Sequence, residues 1–396
     1  MGTMPRVPVI ALIDGEHHPD VVREALARLD LAGVVFCGGE EKLPTGPLDK
    51  HYGRPVDTEP EEALRRLAPD VDAVVDLADE PVLPPRAKLR LAALALHLGL
   101  RYVAPGLRLD PPRYEPVAFQ GPKLAVIATG KRTGKTALAC HLARLLREQD
   151  PVIVCMGRGG PKRPVAASPE TSLDDLLAIA DGGAHAASDY LEDAVLAGVS
   201  TVGCRRVGGG LAGEPAVSNV PEGAALAAWM QPGLIVFEGS GSCIPPVEVD
   251  RTICILGPGE PEPLSEYRLM RSHLLLAHND APAPPAALRF ELRPEPAEPV
   301  PDGARVALFT TGAPRCDGVE PVLVSTNLAR RAALEEDLDQ AVEEGCDLWL
   351  TELKAAAIDT VAARARSEGV QIGFVRNRPV GDGLDEALVE LYRDAG

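Results

Sequence analysis

The run Val126-Ile-Ala-Thr-Gly-Lys-Arg-Thr-Gly-Lys-Thr136 leads from a short apolar strand into a glycine-bearing loop that ends in Lys135 and Thr136. Residue types in that order build a cradle for a polyphosphate. Backbone N–H groups of the loop and of the helix start point at the anion, a lysine meets the β- and γ-phosphates, and a hydroxyl can hold Mg2+. Both flanks agree: Leu124–Ala128 reads as a buried strand and Ala137–Leu146 as an amphipathic helix. One position departs from the strict spacing, with Thr129 where glycine is usual and Gly130 beside it. Gly130, Lys131, Arg132, Thr133, Gly134, Lys135, Thr136 and Ala137 are the expected nucleotide contacts.

A metal-dependent nucleotide site needs an acid at the end of a neighbouring strand. Gly233-Leu-Ile-Val-Phe-Glu-Gly-Ser-Gly-Ser242 supplies it in Glu238, and the small residues that follow let backbone approach phosphate. Thr136 and Glu238 are therefore the expected Mg2+ residues. The Glu-Gly-x-Gly form resembles the dethiobiotin-synthetase branch of P-loop enzymes more than the switch GTPases. No lysine follows Asn or Thr in a guanine-reading motif, so ATP is the expected nucleotide.

Positive charge recurs at three loops. Arg158, Lys162 and Arg163 follow the strand-like run Val152–Met156, Arg205 and Arg206 follow Thr201–Cys204, and Lys131 and Arg132 lie in the phosphate loop. Ligands of open α/β sheets bind beyond the carboxyl ends of the strands, where all three loops fall. So much positive charge exceeds what ATP requires and implies a second polyanionic ligand. Lys135, Arg158, Lys162 and Glu238 are the expected catalytic residues. Arg158, Lys162, Arg163, Arg205 and Arg206 are expected to meet the acceptor's phosphates. His185, Ser188 and Asp189 precede a helix between these clusters, with Ser188 or Asp189 able to cap it. Asp14, Glu16 and His17 end the first strand and are further substrate-binding candidates; the paired His17 and His18 lack convincing zinc spacing with a third ligand.

These residues are set against an acidic background. The 396-residue chain carries a formal net charge of −18, which disfavours nucleic acid and anionic membranes as partners. No run approaches the ~18 apolar residues of a membrane span, and no secretory signal is evident, so a cytoplasmic protein is expected. Eight cysteines without a Cys-x-x-Cys pair, several inside apolar runs, read as small buried hydrophobes in a reducing compartment. A homodimer is the default expectation for a soluble enzyme.

Apolar runs alternate with helical periodicity along the whole chain, which gives an α/β protein. Three parts are expected: an N-terminal Rossmann-like α/β domain over 1–116, a P-loop ATP-binding domain with a parallel sheet over 117–284, and a C-terminal α/β segment over 302–396. The first strand is expected from Val7 to Ile13. Proline-rich Pro105–Pro116 and Ala281–Pro301 are expected to be linkers.

Taken together, Ile13-Asp-Gly-Glu-His17, Thr129-Gly-Lys-Arg-Thr-Gly-Lys-Thr136, His185-Ala-Ala-Ser-Asp189, Phe237-Glu-Gly-Ser-Gly241 and Glu352-Leu-Lys-Ala-Ala-Ala-Ile-Asp359 resemble the cyclic 2,3-diphosphoglycerate synthetases. The resemblance spans all three parts of the chain. It implies ATP- and Mg2+-dependent closure of 2,3-diphosphoglycerate into a cyclic pyrophosphate, with release of ADP and phosphate. One substrate phosphate would attack the γ-phosphorus and its neighbour would then displace phosphate, so no side-chain nucleophile is required. It also favours a ligand contact for Lys354. Three other readings keep the nucleotide site: a kinase acting on a phosphoglycerate or related acid, a carboxylate-activating ligase of the dethiobiotin type, and a regulatory ATPase.

Overall fold

A computed structural model describes residues 8–183, 185–258 and 264–396. The chain divides into two compact units. Residues 8–113, 211–213 and 264–271 form one; the remaining described residues form the other.

In the first unit, β1 (Val9–Ile13), β2 (Leu31–Phe36), β3 (Ala73–Asp76), β4 (Arg101–Ala104) and β5 (Leu107–Leu109) make a sheet in the order β2-β1-β3-β4-β5. The first four strands are parallel and β5 turns back against β4. Ile10, Leu12 and Ile13 are all buried, as a strand covered on both faces requires. Helices Pro19–Leu26, Pro60–Leu67 and Pro85–His97 each open with proline in the first turn, where its missing N–H costs nothing. β5 falls inside the expected linker Pro105–Pro116, and Val7 lies outside the described residues.

The second unit is built on a long mixed sheet. Its strands are β6 (Lys123–Ala128), β7 (Pro151–Gly157), β8 (Val165–Ala167), β9 (Ser200–Val207), β10 (Val217–Ser218), β11 (Leu234–Glu238), β12 (Arg251–Leu256) and β13 (Leu274–His278), followed by β14 (Leu288–Pro296), β15 (Val306–Phe309), β16 (Leu323–Ser325), β17 (Leu348–Glu352) and β18 (Gln371–Val380). The order is β10-β9-β7-β11-β6-β12-β13-β14-β18-β17-β15-β16, with β8 on β9. From β9 to β14 all neighbours are parallel, so the carboxyl ends of β6, β7, β9 and β11 share one edge. Leu124, Val126, Ile153, Val236 and Ile253 fill the core beneath the helix Lys135–Leu145.

The stretch Ala281–Pro301, expected to be a linker, instead contains β14. That strand runs parallel to β13 and antiparallel to β18, which carries the sheet on into the C-terminal residues. Leu288, Phe290 and Leu292 recur at period two and pack on the core, a pattern obscured in the sequence by Pro294 and Pro296. The helix expected near 355–368 opens as a π-helical turn, Ala357–Ala362, before Ala363–Glu368.

Candidate active site

Parallel pairing brings the loops after β6, β7 and β11 to one open cavity of about 750 Å³. Lys131, Arg132, Lys135 and Thr136 line it from the phosphate loop, Gly157–Gly160 from the loop after β7, Ser188–Tyr190 from a helix start, and Glu238–Gly241 from the end of β11. Thr129 does not break the loop. Its N–H donates to the Ile255 carbonyl at 3.0 Å and its side chain is buried, so it closes the strand side of the turn. The loop then turns through Arg132 at φ 56° and Gly134 at φ 88°. A side chain at 134 would be strained and would place a Cβ 2.8 Å from Leu292 Cδ1, so glycine is required there. His278 Nε2 donates to the Thr133 carbonyl at 2.9 Å and fixes the loop from β13.

Lys135 opens the following helix and is buried. Its ammonium donates to the Gly130 carbonyl at 3.1 Å and to Thr133 Oγ1 at 3.4 Å. Burial pulls its pKa down, against the opposing pull of Glu238. A cation held on weak neutral acceptors in a desolvated place is arranged for an anion that brings full negative charge.

Thr136 Oγ1 donates to Glu238 Oε1 at 2.6 Å. The other carboxylate oxygen, Glu238 Oε2, is buried and has no hydrogen-bond partner, although Glu238 is only 4% exposed. Burial, then the Asp193 and Asp189 carboxylates, push the Glu238 acid well above the usual carboxylate range. An orphaned carboxylate oxygen beside a threonine hydroxyl is the donor chemistry of a hard divalent cation, and the residues fit one.

The cationic loops divide. Arg158 lines the cavity and stands over the Glu-Gly-Ser-Gly turn, where a Cβ at Gly241 would meet its Nη2 at 2.6 Å. Arg206 lies beside that turn and donates to the Ser240 carbonyl at 2.9 Å. Lys162, Arg163, Arg205 and Arg206 are not among the residues that line the cavity; the Lys162 carbonyl and the Arg205 N–H are engaged by Asn219. His185, Ser188 and Asp189 do line it, and Ser188 is the N-cap residue of the helix Asp189–Ala197, without a side-chain cap bond.

Lys354 is also absent from the lining. Its ammonium lies 3.5 Å from Glu192 Oε1, and that charge leads the causes that raise its pKa. Asp14, Glu16 and His17 belong to the first unit, where the buried Asp14 accepts from Glu16 N–H at 3.0 Å and from His17 Nδ1 at 2.8 Å. Tyr190 and Cys155 line the cavity without a signal in the sequence, and Asp193 lies with Cys155 and Glu238 in a group of potential ligand atoms within 4.8 Å of one another. Asp193 could have been found from Asp189, since residues four apart share a helix face.

Fold and site define a P-loop nucleotide-binding protein. The N-terminal, P-loop and C-terminal domains of cyclic 2,3-diphosphoglycerate synthetase match residues 8–110, 123–271 and 302–378. A cyclic 2,3-diphosphoglycerate synthetase of Rubrobacter xylanophilus is 45% identical over 97% of this chain and 97% of its own. Those of Thermococcus onnurineus and Methanothermobacter thermautotrophicus are 37% and 32% identical, over 97% and 98% of this chain and 98% and 96% of theirs. The chain belongs to the cyclic 2,3-diphosphoglycerate synthetase family. Among the described residues no helix is long and apolar enough to cross a membrane.

Proposed function

We propose that this chain uses ATP and Mg2+ to close 2,3-diphosphoglycerate into its cyclic pyrophosphate, releasing ADP and phosphate. The observation that carries the reading is the meeting, in one cavity, of the phosphate-loop cations with Arg158 and the Thr136–Glu238 pair. The family's name supplies the acceptor. In this reading the loop Gly130–Ala137 cradles the nucleotide phosphates through its N–H groups and Lys135. Thr136 and Glu238 hold Mg2+, which when bound neutralises part of the triphosphate charge.

Both phosphoryl steps bring anions together, so fixed positive charge does the main work. Arg158, with Arg206 and Lys131 beside the same Gly241 turn, orients the acceptor's phosphates, and Arg132 adds charge from the phosphate loop. Lys162, Arg163 and Arg205 contribute a longer-range field. His185, Ser188 and Asp189 shape the acceptor end. Lys354 acts through Glu192 on the helix Asp189–Ala197, and Asp14, Glu16 and His17 remain candidates of the first unit. The working assembly is a homodimer in the cytoplasm.

Product stoichiometry tests this. ADP and inorganic phosphate should appear in equal amounts, and only when the phosphoacid is present. ADP without free phosphate would identify a kinase instead, and acceptor-independent hydrolysis would identify a regulatory ATPase.

A further inference from the structure

Behind Glu238 lies an acid that the nucleotide site does not explain. Asp193 is fully buried on the helix Asp189–Ala197, between the buried Leu191, Ala194 and Leu196. Position in a core helix favours an apolar residue there, and an acid costs stability unless something uses its charge. Its two oxygens are each held by a thiol: Cys140 Sγ donates to Oδ1 at 3.0 Å and Cys155 Sγ to Oδ2 at 2.8 Å. Thiols are weak donors. They therefore steer the carboxylate without neutralising it.

Asp193 also faces Glu238. Ligand atoms of Cys155, Asp193 and Glu238 all lie within 4.8 Å of one another. Independently, Glu238 Oε2 is buried and unpartnered, on a side chain 4% exposed. Two carboxylates so close in a desolvated place repel unless they share a proton or a positive charge stands between them. A separation within 4.8 Å spans opposite ligands of a cation bound at roughly 2.3–2.6 Å, and a small inward rotation brings it to the roughly 2.0–2.1 Å of Mg2+. Each carboxylate oxygen retains a second lone pair for a metal after accepting one thiol.

We propose that Asp193 is the second carboxylate of the divalent-cation site, facing the ion together with Glu238, and that the Cys140 and Cys155 thiols hold it in that orientation. This rests on the reading that a cation binds at Thr136 and Glu238. Cys155 and Glu238 line the cavity, while Asp193 is fully buried behind them and would hold the ion from the side away from solvent.

Mn2+ binding to the full chain, followed by the free-ion electron paramagnetic resonance signal in the presence of ADP, tests this without turnover. Asp193→Asn should weaken Mn2+ binding by about 10–100-fold, with ADP affinity in EDTA unchanged. Mn2+ affinity within about twofold of the parent, while Glu238→Gln loses the ion, would overturn the role of Asp193 and leave the site reading intact. If Glu238→Gln also binds normally, the cation site itself is wrong and the inference falls with it. A variant that fails to fold is bypassed by anomalous scattering from Mn2+ in crystals of the parent protein with ADP. A peak bonded to both Asp193 and Glu238 supports the assignment; a peak on Glu238 with Asp193 out of bonding range refutes it.

Discussion

Thr136, at the start of the helix that follows the phosphate loop, donates a 2.6 Å hydrogen bond to Glu238 at the end of β11, 102 residues further along the chain. The bond exists because β11 and β6 are parallel neighbours, with Glu238 opposite Val126. Two groups that are ordinary by themselves become a cation site when the sheet aligns them.

Glu238→Gln and Thr136→Ala should each raise the Mg2+ concentration needed for half-maximal rate, while ATP binding measured in EDTA stays near the parent value. Their effects should be less than additive, because both act on the same ion. Additive losses in a double variant would separate the two residues into independent roles.

Replacing Lys135 by alanine removes the only lysine of the loop that is buried against it. Turnover should fall by at least ~10²-fold, as for loss of one fixed electrostatic contact in a transition state. Thermal stability should hold or rise, since a desolvated cation with only neutral hydrogen-bond partners is removed. Steady-state ADP release together with a melting curve checks both; near-normal turnover would take Lys135 out of the chemistry.

The arginines should separate by position. Arg158→Ala is expected to raise KM for the phosphoacid by ~10–100-fold, the equivalent of a charged hydrogen bond of roughly 1.5–3 kcal/mol. Arg205→Ala, outside the cavity lining, should change it by no more than about threefold. Separate titrations of ATP and phosphoacid into each variant decide the matter, and a selective loss of ATP affinity in Arg158→Ala would assign that side chain to the nucleotide.

What could be read from the sequence follows how local each feature is. The phosphate loop is contiguous, so residue order alone disclosed Lys135 and Thr136. Glu238 was legible because a buried strand ending in an acid is a local pattern. Asp193 was not: its meaning comes from Cys140, Cys155 and Glu238, which sheet pairing and helix packing bring to it from 53, 38 and 45 residues away. β14 was hidden by its prolines, and the pairing of Lys354 with Glu192 joins the bend after β17 to a helix more than 150 residues earlier, a meeting no local signal records.

The first unit offers a pH test. The hydrogen bond to Asp14 is the leading cause that raises the His17 pKa above 6.5, aided by the charges of Asp14 and Asp79 and opposed by partial burial. A raised folded pKa means that this stabilisation is complete below the unfolded value and is lost as pH rises through the folded one. Melting temperature should therefore fall as pH rises above 6.5 and through the raised folded value, and His17→Gln should flatten that slope. An unchanged slope in the variant would show that the pair does not contribute.

Cyclisation is tested most directly by ³¹P nuclear magnetic resonance of the purified protein with ATP, Mg2+ and 2,3-diphosphoglycerate. The two monoester resonances of the substrate should decline together while two mutually coupled pyrophosphate-type signals, distinct from ADP and ATP, grow with inorganic phosphate. ADP formation with both monoester resonances unchanged, or with a phosphoryl group added to the acceptor and no free phosphate, would contradict the assignment.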